Sequence, residues 1–262
     1  MPHKKEFLSK SFGELSQYEK FIDEIYSWLI TKFKYENSDY KSKREFISYV
    51  VITSSNIILP DDINKKLDYV LQSENVNNLI DFTSVNEQII LHKGDITKLI
   101  IDCIVNAANS EGLGCFSYGH KCIDNIIHSK AGPQLRNECE KILHGTHIRT
   151  GNAILTGGYN LPSKYVMHVV GPVYSVTEKT LCHQQLKQSY ISCLNICKIN
   201  KIKQIAFCCV STGVFGFPND DACDIAVDTV GDWLNENNNC TKVIFCAFLD
   251  TDYQLYKKKL GI

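Results

Sequence analysis

Apolar residues change their spacing along this chain near residue 86. Before that point they recur at helical intervals. Phe21, Ile22, Ile25, Trp28 and Leu29 share one side of a helix predicted over Tyr18–Phe33, and another helix is predicted over Asp62–Leu71, opened by an acidic turn after Pro60. The basic run Lys41–Arg44 reads as a solvated helix start. Beyond residue 86 the apolar positions gather into short β-rich runs separated by helical stretches. Strands are predicted at 88–92, 102–107, 152–155, 165–170, 204–210 and 241–248, and helices at 122–130, 133–143, 180–199, 220–235 and 252–260, with a turn at Asn235–Asn239. The two patterns divide the chain into a helical unit, 1–86, and an α/β unit, 87–262. Alternating strands and helices predict a sheet covered by helices on both faces. Ligands of such sheets bind at the carboxyl ends of the strands, where the loops at 109–121 and 211–219 fall.

Composition narrows the classes. A chain of 262 residues with 44% hydrophobic content is long enough for a sizeable core. A net charge of −1 gives no general attraction to nucleic acid or to an anionic membrane, so a bound anion must be held locally. Met1–Phe7 lacks the apolar segment of a signal peptide and no stretch approaches the ~18 apolar residues of a membrane span. A soluble cytoplasmic protein is expected. Cys103, Cys208, Cys209 and Cys246 lie within apolar runs and are expected to be buried thiols in core strands.

Cys115 and Cys122 differ, because glycines and His120 surround them. Three soft or borderline ligands, Cys115, His120 and Cys122, lie within eight residues between a predicted strand and a predicted helix. Three protein ligands make an open zinc site, whose remaining position takes water or substrate; a closed structural site would need a fourth ligand, such as His128. The segment Ser211-Thr212-Gly213-Val214-Phe215-Gly216 links a strand to a helix, and its glycines let successive N–H groups face an anion without lysine or arginine. Read alone, it is also an ordinary strand–helix loop. Neither a Gly-x-Gly-x-x-Gly run nor a P-loop lysine is present, which argues against a dinucleotide dehydrogenase or an ATPase. Asp95 reads as a turn residue or as an acceptor for an exocyclic amine, and Asn109 as a loop-satisfying amide or a ligand for a ribose hydroxyl.

Four separated motifs together resemble the macrodomain family over residues 88–262. They are Gly94-Asp95-Ile96-Thr97, Asn106-Ala107-Ala108-Asn109, Ile123–His128 with Ala131-Gly132, and Ser211–Gly216. Where ordinary macrodomains carry a glycine-rich run, this chain has Cys-x4-His-x-Cys, which resembles the zinc-dependent ADP-ribosylhydrolase branch, as does the helical extension. That branch usually has proline where Tyr118 stands. The resemblance implies a three-layer α/β/α fold with a mixed sheet and an ADP-ribose pocket. In it Asp95 and its neighbour Ile96 meet the adenine, Ser211–Phe215 the diphosphate and Asn109 the distal ribose; Phe248 could stack on adenine and Phe215 cover a ribose, or both could be core aromatics. Zinc on Cys115, His120 and Cys122 would orient the sugar and activate water. Asp124 would act as general base, or serve only as a helix-terminal charge, and Asn109 and Asn125 would join it as catalytic residues. The implied activity is removal of mono-ADP-ribose from modified proteins; a reader without turnover, or a hydrolase of a small ester such as O-acetyl-ADP-ribose, uses the same nucleotide pocket. The resemblance also implies a sirtuin-type transferase and a lipoylated carrier protein as partners. The helical extension is expected to cover an exposed face of the sheet.

Overall fold

A computed structural model describes residues 15–34, 40–55, 57–238 and 240–262. Residues 1–14 and 35–39 of the expected helical unit, and Asn239 of the expected turn, lie outside the described residues. Six strands form one sheet: β1 (Ile89–Lys93), β2 (Cys103–Ala107), β3 (Ala153–Gly157), β4 (Tyr165–Val169), β5 (Gln204–Phe207) and β6 (Lys242–Ala247), in the order β1-β6-β5-β2-β4-β3. All neighbours are parallel except β3 and β4, so the sheet is mixed.

Parallel strands are buried on both faces and therefore read as nearly continuous apolar runs. Cys103, Val105, Met167, Ile205, Phe207, Val243 and Phe245 project to one face, against α6 (Lys179–Ile199), α7 (Asn219–Glu236) and α8 (Asp250–Leu260). Ile104, Val166, Ala206, Ile244 and Cys246 project to the other, against α4 (Ile123–Ala131) and α5 (Pro133–Leu143). The result is a three-layer α/β/α arrangement with a core on each side of the sheet.

Two expectations change at the carboxyl edge. The fifth strand was expected to run to Val210, but its ladder to β6 ends at Phe207↔Phe245. Cys208 and Cys209 have left the sheet and are half-buried, packing against the core while also lining a cavity. Phe248 likewise lies just past β6 and is 72% exposed.

The extension comprises α1 (Leu15–Phe33), α2 (Lys43–Thr53) and α3 (Asp61–Asn75), which enclose their own core around Ile25, Leu29, Ile47, Val50 and Leu67. Ser42 caps α2 by accepting from the Glu45 amide, and two aspartates occupy the first turn of α3, where the dipole favours them. Of the basic run, Arg44 is only partly exposed. It forms a two-pronged bond to Glu74 of α3 at 2.7 and 2.8 Å. The extension packs on the outer side of α4 and α5 and so adds a further layer, instead of covering the sheet directly. Its contacts include polar ones: Gln72 donates to Asn160 Oδ1 (2.8 Å), Asn160 donates to Asp68 (2.7 Å), and Asn75 donates to the Asn160 carbonyl (2.9 Å).

Candidate active site

A cavity of 850 Å³ opens at the carboxyl ends of β1, β2, β4, β5 and β6, where parallel strands diverge. Asp95 and Ile96 stand at one end, after β1. Asp95 caps a short 3-10 turn, accepting from the Thr97 amide (2.9 Å) and hydroxyl (2.6 Å), and its second oxygen accepts from Lys130 Nζ at 2.8 Å. Burial would raise this carboxyl, but the Lys130 and Thr97 bonds outweigh it and hold Asp95 below its ordinary value. Phe248 and Leu249 form the rim nearby.

Ser211, Thr212, Gly213, Val214 and Phe215 line the middle. The backbone turns through Ser211 at φ 67° and closes with Gly216 N–H donating to Gly213 O (3.0 Å). Among the described residues the amides of Gly213, Val214 and Phe215 find no acceptor, and the buried Ser211 hydroxyl has no partner. These are vacant donors facing a cavity, which suits an oxygen-rich anion. The approach is close: a Cβ at Gly171, in the loop after β4, would lie 2.1 Å from Ser211 Oγ.

Cys115, His120 and Cys122 line the far end. Their ligand atoms lie within 4.8 Å of one another, with Cys115 Sγ 3.4 Å from His120 Nδ1. Cys122 is the N-cap of α4 and its sulfur accepts from the Asn125 amide. Burial pushes the Cys122 thiol up to about 11 against that amide, and the Cys115 thiol adds to the rise. Two adjacent thiols and an imidazole converging in this way fit a zinc ion, whose charge would stabilise both thiolates. Gly114, at φ 86°, permits the loop's entry; a Cβ there would meet the His128 ring at 2.8 Å.

Asp124 lies beneath this loop, buried, and also lines the cavity. Asn106 Nδ2 donates to its Oδ1 at 2.7 Å, and Asn109 Nδ2 approaches its Oδ2 at 3.4 Å. Burial raises Asp124 to about 6, opposed by the Asn106 bond and by the charge of Arg136. Asn109 reaches the cavity while also holding the loop, donating to Gly114 O and accepting from Gly112 N, both at 3.2 Å. Asn125 does not line the cavity, and its side-chain amide donates to the carbonyls of Ser117 and His120, both at 2.8 Å. It shapes the ligand loop.

The sequence profile of the Macro domain family matches residues 105–226. A protein-ADP-ribose hydrolase of Staphylococcus aureus (strain MRSA252) is 47% identical over 192 residues, 72% of either chain. The chain belongs to the macrodomain family. Among solved structures, the Oceanobacillus iheyensis macrodomain with ADP superposes with a TM-score of 0.60 at 36% identity, covering 65% of this chain and 88% of that one. The Trypanosoma brucei macrodomain in complex with ADP-ribose gives 0.66 at 28% identity, covering 85% of this chain and 97% of that one.

Several features of the site had no sequence signal of their own. Lys130 shows only as a helical lysine, and Gly171 only as a glycine after a strand. Behind Asp124 lies a buried chain of hydrogen bonds. Asn106 Nδ2 donates to His168 Nδ1 (3.1 Å), which leaves Nε2–H to donate to Thr156 Oγ1 (3.0 Å). Burial holds His168 down at about 3, so the ring is neutral. The chain spans β2, β4 and β3, so no sequence spacing announces it. His128 and Cys139 pack beside His168, and all three are buried. His128 therefore sits apart from the Cys115, His120 and Cys122 cluster.

Proposed function

We propose that this macrodomain is a zinc-dependent hydrolase that releases ADP-ribose from singly modified proteins. The observation that carries the reading is the convergence of Cys115, His120 and Cys122 in the cavity that Asp124 and the 211–215 segment also line. The name of the Staphylococcus aureus relative supports the activity, and the ligands of the two solved macrodomains support the nucleotide.

In this reading Asp95 accepts from the adenine amine and Phe248 stacks on its ring. The amides of 213–215 and the Ser211 hydroxyl hold the diphosphate, while Phe215 and Asn109 bound the distal ribose. The bond broken joins the anomeric carbon to the modified side chain and passes through an oxocarbenium-like state. Water attacks the anomeric carbon, and its proton goes to Asp124, ionised above about 6 and aimed by Asn106 and Asn109. The departing side chain takes up a proton in turn. Zinc, when bound, supplies a Lewis acid at the ribose end. By the resemblance, the proposal extends to a sirtuin-type transferase that installs the modification and a lipoylated carrier protein that bears it.

The test is release of ADP-ribose from a mixture of mono-ADP-ribosylated proteins by the wild type and by Cys115→Ala, with zinc quantified in both. Release by the wild type, lost together with zinc in the variant, is expected. Tight ADP-ribose binding by zinc-loaded wild type without release from any linkage would make this chain a reader.

A further inference from the structure

The ligand loop, 113–122, is irregular and mostly exposed, and its own hydrogen bonding is slight: the His120 amide donates to Ser117 O at 3.1 Å. Asn125 braces it from beneath. The bracing from outside comes from the helical extension, at two places.

The first is Arg136 of α5. Its side chain is buried and donates to Val51 O (3.0 Å), Ile52 O (3.2 Å) and Ser54 O (2.5 Å), the unsatisfied carbonyls at the end of α2. The same guanidinium donates from Nε to Leu113 O at 2.7 Å and lies 4.4 Å from the centre of the Phe116 ring. One side chain thus grips the end of α2 and the start of the ligand loop. The second is Tyr118, between the ligands Cys115 and His120. Its ring meets Tyr49 of α2 edge-on at 5.6 Å, and its hydroxyl lies in the field of the Glu45 carboxylate in the first turn of the same helix. A proline at 118 would have neither contact.

We propose that the helical extension is a working part of the metal site: α2, through Arg136 and Tyr118, holds the 113–122 loop in the shape that brings Cys115, His120 and Cys122 together. The proposal rests on reading that loop as a zinc site. Arg136 and Tyr118 are positioning residues, since neither supplies a ligand. Groups that orient ligands without touching the metal typically change its affinity by about 10–100-fold.

Tyr118 is 40% exposed, so its replacement leaves the cores intact. The test measures zinc affinity by competition with a chromogenic chelator for the wild type, Tyr118→Ala, Tyr118→Phe and Arg136→Lys. ADP affinity is measured alongside, as is amide exchange over 113–122 in zinc-free protein. Tyr118→Ala is expected to bind zinc about 10–100-fold more weakly and to exchange faster in the loop, with ADP affinity within about twofold of the wild type. Tyr118→Phe keeps the ring contact and is expected to recover most of the loss. Arg136→Lys keeps the charge but not the fork that spans four carbonyls, and is expected to weaken zinc binding as well. Zinc affinity and loop exchange of Tyr118→Ala indistinguishable from wild type would overturn the proposal while leaving the zinc reading intact. A wild type that takes up no zinc would end the zinc reading and the proposal with it.

Discussion

Asp124 carries the residue-scale argument, because one carboxylate at a helix start has two competing uses. A carboxylate that merely complements the dipole of α4 would be replaceable by asparagine at little kinetic cost. One that accepts the proton of water would not. Asp124→Asn is expected to lower turnover by at least about 100-fold while ADP-ribose affinity changes only a few-fold, which steady-state rates and calorimetry separate. Gly171 gives a second residue-scale expectation. An added methyl would lie 2.1 Å from Ser211 Oγ and 2.8 Å from Val210 Cγ1, so the anion loop must move. Gly171→Ala is expected to weaken ADP binding by at least about tenfold, a loss that calorimetry reads directly. Neither effect is visible in the sequence around the residue. The glycine's neighbour is forty positions away, and the Asn106–His168–Thr156 chain behind Asp124 exists only once three strands are side by side.

At the scale of elements, the periodicity of Phe21, Ile22, Ile25 and Leu29 announced α1, and the acidic turn after Pro60 announced α3. The place of these helices was not legible. Arg136 docks on backbone carbonyls, which every residue has, and Arg44 reads as one more member of a basic run. The ends of β5 and β6 were misread for a related reason. Cys208, Cys209 and Phe248 are apolar enough to extend a strand, but the sheet opens at its carboxyl edge and leaves them at the cavity. The α2–α3 pair has a pH signature. Burial works to raise the Glu74 carboxyl, but the two-pronged Arg44 bond, helped by the Tyr18 hydroxyl at 2.6 Å, brings it below its ordinary value. A carboxyl whose folded value lies below its unfolded value stabilises the fold above the unfolded value and ceases to do so as pH falls through the folded one. Both side chains are partly open to solvent, so the contribution is about 1 kcal/mol. Urea unfolding should show Glu74→Gln less stable than wild type by about that amount at pH 7, with the difference vanishing in acid.

For the whole molecule, the four motifs and the Cys-x4-His-x-Cys loop were legible because each is a local run of sequence. Their assembly depends on the order β1-β6-β5-β2-β4-β3, which sets the strand after Asp95 in the chain far from it in the sheet. That order brings Asp95, Ser211–Phe215, Asn109, Asp124 and the three ligands around one cavity. No described helix is long and apolar enough to cross a membrane. In the proposed reaction metal and chemistry meet at this cavity. Stripping the protein of zinc and measuring ADP-ribose release as the metal is titrated back tests that link. Turnover that is lost on stripping, rises in proportion to zinc and levels off at about one equivalent per chain is expected, since Cys115, His120 and Cys122 would form one open site. Turnover that survives stripping unchanged would contradict the account.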